Sequence, residues 1–482
     1  MPISRQAAIV AAVFSFAALA AAQQPSSPLA PYIEENASVL VLQHVTLIDG
    51  TGSRPQPDMR VVIANGKIAA VEPAGSQSPL PPGAKVLDLT GKTVIPGLVG
   101  MHEHLFYPLP DAPEDGQALY GEMADSAPRL YLAGGVTTAR TAGSVETYTD
   151  LELKHAIDAG KMPGPKFDIT GPYLEGPGTF ALQMHELTSP EDAARTVDYW
   201  AAEGVTSFKA YNYLTSDELK AAIDHAHALG IKITGHLCSI GFKQAADLGI
   251  DNLEHGILVD TEFYPGKKPD ECPNTGAVWE YMNKNVDPAG PEVKQMIQDL
   301  VAHHVAITST LAVFETFAPN RPPMQREIAA LNTLSTAAAR AYLLGRARTA
   351  ERDRGGMIAY EQRFEREFVA AGGLLMAGCD PTGYGGVVPG FGDQRNIELL
   401  VEAGFTPVEA IRIASLNGAI YMGKDKEIGS IAPGKAADLV VLGGNPAEKI
   451  ENIEKVETVF KDGVGYDPAK LIQSVTGRVG LR

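Results

Sequence analysis

Five groups of residues, in fixed order, carry the ligand chemistry of this chain: His102-Glu103-His104, Lys209, His236, His255 and Asp380. Each falls at or near the C-terminal end of a short apolar, strand-like run. Imidazole and carboxylate bind borderline divalent metals. His102 and His104 are alternate residues of one such run. Alternate strand residues point the same way, so both rings can face one ion. A barrel that displays such residues from the ends of successive strands gathers them around one mouth, which points to metal-assisted hydrolysis.

Taken singly, each residue also has a plain structural explanation. His236 and His255 could be surface or satisfied core histidines, and Asp380 a turn aspartate before Pro381. Lys209 sits in the apolar run Val205–Tyr211. A lysine there either reaches solvent or is costly to bury unless paired or modified. One modification suits the setting: a neutral lysine amine adds CO₂ to become an anionic carbamate able to bridge two metals. A desolvated, cation-rich pocket favours that neutral amine. His155, His225 and His227 fall in helix-like segments and His303-His304 at a helix end, so none is read as a ligand.

The elements that must position these residues follow from pattern. Strand candidates are 94–99, 136–141, 167–170, 205–211, 231–234, 252–254, 305–311 and 374–377, with amphipathic helices between them. Helix 216–229 is opened by Ser216-Asp217-Glu218 and closed by Gly230; helix 406–416 has Pro407 at its first position. Eight strands alternating with helices predict an α/β fold, a (β/α)₈ TIM-like barrel, with a doubly wound sheet as the alternative. Stretches 256–289 and 314–366 are longer than barrel loops need, and are read as walls or lids of a substrate pocket. Strand-like runs precede the barrel at 39–48, 60–64, 67–71 and 85–89, with a hairpin signal at Asn65-Gly66. Others follow it at 428–432, 438–442 and 456–461. A β piece at each end predicts one small composite β-sandwich domain. The expected division is a signal peptide at 1–22, a linker at 23–36, sandwich at 37–92, barrel at 93–422 and sandwich again at 423–482.

Composition narrows the classes. The 482 residues are 45% hydrophobic and 20% charged, as in soluble globular proteins. A net charge of −18 does not suit nucleic acid. Arg5, the apolar stretch 7–19 and Ala20-Ala21-Ala22 read as a cleavable export signal, giving a periplasmic or secreted protein with no membrane attachment after cleavage. In that compartment Cys238 and Cys272 could pair if both reach the same mouth, while Cys379 suits a small buried core position.

Together these motifs resemble the amidohydrolase superfamily. The likeness runs from about Val39 to about Tyr466 and rests on specific segments. They are Val94-Ile95-Pro96-Gly97-Leu98-Val99 through His102-Glu103-His104, Phe208-Lys209-Ala210-Tyr211, Gly235-His236, Asn252-Leu253-Glu254-His255-Gly256, Gly378-Cys379-Asp380, and Ile428-Gly429-Ser430-Ile431-Ala432-Pro433-Gly434-Lys435 through Val441. The imidazolonepropionase-like and Xaa-Pro-dipeptidase-like branch is most similar. The resemblance implies two divalent metal ions, zinc by default, though manganese, cobalt, iron or nickel also suit the ligands. His102, His104 and Asp380 would hold one, His236 and His255 the other, with N-carboxylated Lys209 between them. Asp380 would take the proton of the attacking water and pass it to the leaving amine.

Three further contacts are candidates. Tyr211 shares its side of the strand with Lys209 and could reach the substrate carbonyl or carboxylate. His185 stands where relatives often carry a glycine-rich histidine loop, and the local sequence here, Leu182-Gln183-Met184-His185, departs from that pattern. Arg140 could bind a substrate carboxylate. The implied substrate is a small amide, a dipeptide or N-acyl amino acid. Lactones or phosphotriesters on the same site, and a non-catalytic binding protein, are the other readings. Barrels of this kind often associate, so a homo-oligomer is a further expectation.

Overall fold

The computed structural model describes residues 27–109, 118–179, 181–351, 356–382 and 385–480. The expected signal segment lies outside them. Eight short parallel strands carry the body of the molecule: β1 (Leu98–Glu103), β2 (Val136–Thr141), β3 (Lys166–Asp168), β4 (Ser207–Ala210), β5 (Lys232–Gly235), β6 (Asn252–Glu254), β7 (Ala306–Ser309) and β8 (Leu375–Ala377). Most of their residues are buried, and each strand is separated from the next by one or more helices, which is why the strands read as apolar runs rather than alternating ones.

The strands form two arcs, β3-β2-β1 and β4-β5-β6-β7-β8. Parallel bridges Thr170–Ser207 and Leu174–Ala210 join the arcs at one seam. At the other, the Asp380 amide donates to the His102 carbonyl at 3.0 Å. A Cβ on Gly378 would lie 2.3 Å from the His102 nitrogen, so this seam needs glycine. The result is a TIM-barrel-like α/β fold whose ladder is interrupted at both seams. Its strand order follows the chain without the reversal that defines a doubly wound sheet.

Local chemistry agrees at the helix ends. Thr215 and Glu218 form a capping box on helix Ser216–Ala228, and Thr406 and Glu409 form another on Pro407–Ile413.

The two chain ends share one mixed sheet. Its path runs 33–35, 464–466, 456–461, 439–442, 93–96, 39–47, 56–64, 67–73, with 85–88 paired to 39–47. Asn65 and Gly66, at φ 51° and 75°, turn the expected hairpin. Leu40, Leu42, Val61 and Ile63 from the first segment share a core with Leu439, Val441 and Phe460 from the last. Neither end could bury this surface alone.

Three expectations change. The run 94–99 is divided at Gly97: Thr93–Pro96 pairs antiparallel with 439–442, and Leu98 starts β1. A Cβ on Gly97 would lie 2.1 Å from Thr137 Oγ1, so the chain switches sheets where only glycine fits. The run 428–432 is a loop, its Ile428 carbonyl and Ser430 hydroxyl bound by Lys435 Nζ at 3.1 and 2.6 Å. Within the expected linker, Ile33–Glu35 is a strand paired to 464–466. Among the described residues no helix is long and apolar enough to cross a membrane.

Candidate metal centre

His102 and His104 leave β1 on one face, Lys209 lies in β4, His236 and His255 follow β5 and β6, and Asp380 follows β8. All six line one cavity of about 390 Å³ with Tyr211. The strand-end positions predicted from sequence therefore converge. His102, His104 and Asp380 offer ligand atoms within 4.8 Å of one another. Asp380 Oδ1 is 3.5 Å from His104 Nε2, and its Oδ2 is 3.8 Å from His102 Nε2 and from His255 Nδ1. The His102 and His255 rings are 4.5 Å apart, and His255 and His236 4.7 Å.

Protonation favours metal ligation, which needs neutral imidazoles and ionised carboxylates. Burial lowers His104 to about 4 and His236 to about 3, and drives His102 and His255 down as well. Burial pushes Asp380 up, but the surrounding histidines more than offset it and hold it well below the usual carboxylate range. Buried Lys209 falls to about 8, through loss of hydration, with Glu254 and Asp380 partly opposing. Its Nζ lies 3.3 Å from His102 Nε2, and no carboxylate among the described residues comes within ion-pair distance. The Nδ1 atoms of His104 and His236 are buried without a hydrogen-bond partner. A buried polar set this incompletely satisfied fits bound cations.

Groups behind the cavity orient the ligands. Glu254 Oε2 lies 2.7 Å from His102 Nδ1, and Arg140 and Thr234 bind Glu254 Oε1 at 2.7 and 2.6 Å. Thr310 Oγ1 holds His255 Nδ1 at 2.7 Å, and Thr382 donates to Asp380 Oδ1. Such partners fix which ring nitrogen is free to bind. Arg140 is therefore not at the mouth: its Nε also donates to the Met101 carbonyl at 3.0 Å, and it is buried in this network. Nor does His185 reach the cavity. It is exposed, 3.6 Å from Asp192, in a loop whose sequence lacks the glycines of its expected counterpart. Of the histidines given no role, His225, His227 and His303 pair with Asp198, Asp251 and Asp247, and His155 lies 3.5 Å from Glu152.

Sequence reasoning missed Tyr120, Tyr173, Val313 and Thr382, which also line the cavity, as do Phe314 and Phe317 from a stretch it read as a pocket wall. Phe314 and Phe317 come from the start of the 314–366 excursion; no residue of 256–289 lines the cavity. Thr382 and Phe314 had a weak signal, lying close after ligand or strand positions. Cys238 and Cys272 form a disulfide that ties the 256–289 stretch to the segment after His236.

A TIM-barrel-like body with histidine, lysine and aspartate gathered at its strand ends defines a class of metal-binding hydrolase scaffolds. The profile of the amidohydrolase family matches residues 93–465, and the chain belongs to that family. An imidazolonepropionase of Geobacillus kaustophilus is 24% identical over 394 residues, 79% of this chain and 82% of that enzyme. An allantoinase of Streptomyces avermitilis is 32% identical over 137 residues, 26% of this chain and 28% of the allantoinase, so that match spans under a third of the relative. In fold, the chain is similar to a Xaa-Pro dipeptidase solved with methionine in its active site, at TM-score 0.65 and 21% identity over 89% of this chain and all (100%) of that one. The ochratoxinase of A. niger superposes with TM-score 0.61 at 19% identity, over 89% and 96% of the two chains.

Proposed function

We propose that this protein is an exported, metal-dependent hydrolase of amide bonds in small molecules, acting through a pair of divalent ions, with zinc the default. The convergence of six ligand-type side chains on one cavity carries the reading; family membership supports it. His102, His104 and Asp380 would hold one ion, His236 and His255 the other, with Lys209 between them as its carbamate. The buried Lys209 amine, pushed down to about 8 by burial and with no carboxylate within ion-pair distance among the described residues, supports that modification. Bound divalent ions supply Lewis acidity, polarising a carbonyl and lowering the pKa of water.

The protein's own groups would do the rest. Glu254 and Thr310 hold the imidazoles of His102 and His255 in one tautomer. Asp380, ionised and oriented by Thr382, takes the proton of the attacking water. It then delivers that proton to the departing amine, so amide and water become carboxylic acid and amine. Tyr211, which lines the same cavity, would donate to the substrate carbonyl. We read the two strand arcs as a closed barrel and the shared end sheet as its composite β-sandwich domain.

The test is a screen of metal-reconstituted protein against N-acyl amines, N-acyl amino acids, dipeptides, lactones and phosphotriesters. Amide cleavage is expected; turnover confined to lactones or phosphotriesters would move the reading to those esters. N-terminal sequencing of exported protein is expected to begin near Gln23, and a retained 1–22 segment would contradict signal cleavage.

A further inference from the structure

We propose that Glu122, Asp150 and Ser144 hold a hard divalent cation, calcium by ligand type, at a site separate from the metal centre. Three elements bring these residues together. Glu122 ends the short strand Tyr120–Glu122, Ser144 lies just beyond the C-terminal end of β2, and Asp150 stands in the first turn of helix Thr147–Asp158. None of the three lines the metal cavity.

Every polar side-chain atom of this group is left over. Both carboxylate oxygens of Glu122, both of Asp150 and the Ser144 hydroxyl are buried and meet no hydrogen-bond partner. Asp150 is 0% and Ser144 2% exposed. The Ser144 hydroxyl stands close enough to Asp150 to lower its carboxyl, yet outside hydrogen-bonding geometry. The charges acting on the pair are themselves acidic: Asp150 and Glu146 on Glu122, and Glu146 on Asp150. Burial, with those charges adding to it, pushes Glu122 up to about 9 and Asp150 up to about 7. Two carboxylates buried without a counter-charge are costly. Buried polar atoms left without partners in a folded protein call for a bound ion or water.

The donor set chooses between ions. Two carboxylates and a hydroxyl are all oxygen. That suits calcium, which takes about six to eight oxygen ligands in flexible geometry, rather than zinc, which prefers nitrogen and sulfur. Glu122 as a residue is only partly buried, which leaves a side open for water ligands and for entry. A net charge of −18 favours cations near the surface. The ion would tie strand Tyr120–Glu122 to helix Thr147–Asp158. Tyr120 of that strand lines the metal cavity, so the second ion would brace the cavity rim.

Equilibrium dialysis with radiolabelled calcium tests this on full-length protein loaded with zinc beforehand. At about pH 8 the wild type is expected to take up one calcium per chain, with a Kd of about 10⁻⁵–10⁻³ M, and to keep its zinc. No saturable uptake below about 10 mM, or uptake matched by an equal loss of zinc, would overturn the proposal. Glu122→Gln and Asp150→Asn should each weaken calcium uptake at least about tenfold while zinc content stays at the wild-type value. Wild-type uptake in both would overturn the assignment. Thermal unfolding adds a reading that a merely structural role would not give. In calcium-free buffer Asp150→Asn should melt above the wild type, because it relieves the repulsion; in about 10 mM calcium the wild type should melt higher. An order unchanged by calcium would overturn the proposal. Ser144→Ala, which keeps both carboxylates, covers the case of an amide variant that fails to fold: its Kd should rise about three- to tenfold, and an unchanged Kd would overturn the three-residue site.

Discussion

Two buried clusters of ligand-type side chains lie back to back on the same strand ends. His102, His104 and Asp380 form one; Glu103, Cys379 and Asp393 form the other, and in each the ligand atoms fall within 4.8 Å of one another. His102, Glu103 and His104 are sequence neighbours, as are Cys379 and Asp380; the pleat of β1 turns Glu103 away from the two histidines, and Asp393 joins it from helix Phe391–Glu402. The first cluster opens onto the cavity and keeps unsatisfied nitrogen at His104 Nδ1. None of the second cluster lines that cavity. There Cys379 Sγ donates to Glu103 Oε2 at 3.0 Å, the Cys379 amide lies 3.3 Å from Glu103 Oε1, and Asp393 Oδ2 accepts the Gly390 amide at 2.9 Å. Burial pushes both its carboxyls and its thiol upward from their ordinary values. Both clusters thus bring three groups of metal-ligating type equally close. Access to the cavity and an unsatisfied ring nitrogen separate the candidate metal centre from a packed hydrogen-bonded cluster.

Mutations should split the clusters in the same way. Asp380→Asn is expected to lower kcat by about 10²- to 10⁴-fold, the range for a lost proton-transfer group, with the circular dichroism of the folded protein retained. Wild-type turnover in this variant would refute the assigned role. Lys209→Ala should lose bound metal and activity together, with partial recovery when short carboxylic acids are added. Activity that is unchanged without them would remove Lys209 from the centre. Glu254→Gln, which leaves His102 without its carboxylate partner, should weaken metal binding by about 10- to 100-fold in a chelator competition. Asp393→Ala, by contrast, should cost about 1–3 kcal/mol of stability in denaturant unfolding, through lost buried hydrogen bonds, while metal content stays at the wild-type value. Loss of metal there would erase the distinction between the clusters. The smallest effect is expected at Cys379: native protein treated with iodoacetamide should keep that thiol unmodified, as mass spectrometry would show, because the buried thiol is not ionised.

The metal-type residues were legible because strand ends are local features. A short apolar run followed by histidine or aspartate is visible in sequence, and a barrel topology brings all such ends together. What lay in long-range geometry was not legible. Arg140 also ends a strand, yet its partners Asn252 and Glu254 come from β6, more than 100 positions away, and they draw it behind the centre. In sequence Glu254 is only the neighbour of His255, since nothing local shows that it faces His102. Tyr120 reaches the cavity from the three-residue strand Tyr120–Glu122 and Tyr173 from an irregular segment, both too short for a periodicity to report. The sheet switch at Gly97 was hidden for a similar reason: both flanking runs are apolar, and only the close approach of Thr137 shows why the chain must turn there. Gly434 beside Pro433 marked a turn, but the turn's extent back to Ile428 depends on Lys435 reaching across it.

Metal analysis of fully active protein bears most directly on the central claim that these six side chains form one binuclear centre. Purified without chelator and titrated back to full activity, wild-type protein is predicted to hold two equivalents of divalent metal per chain. Full activity with fewer than one equivalent would contradict the account.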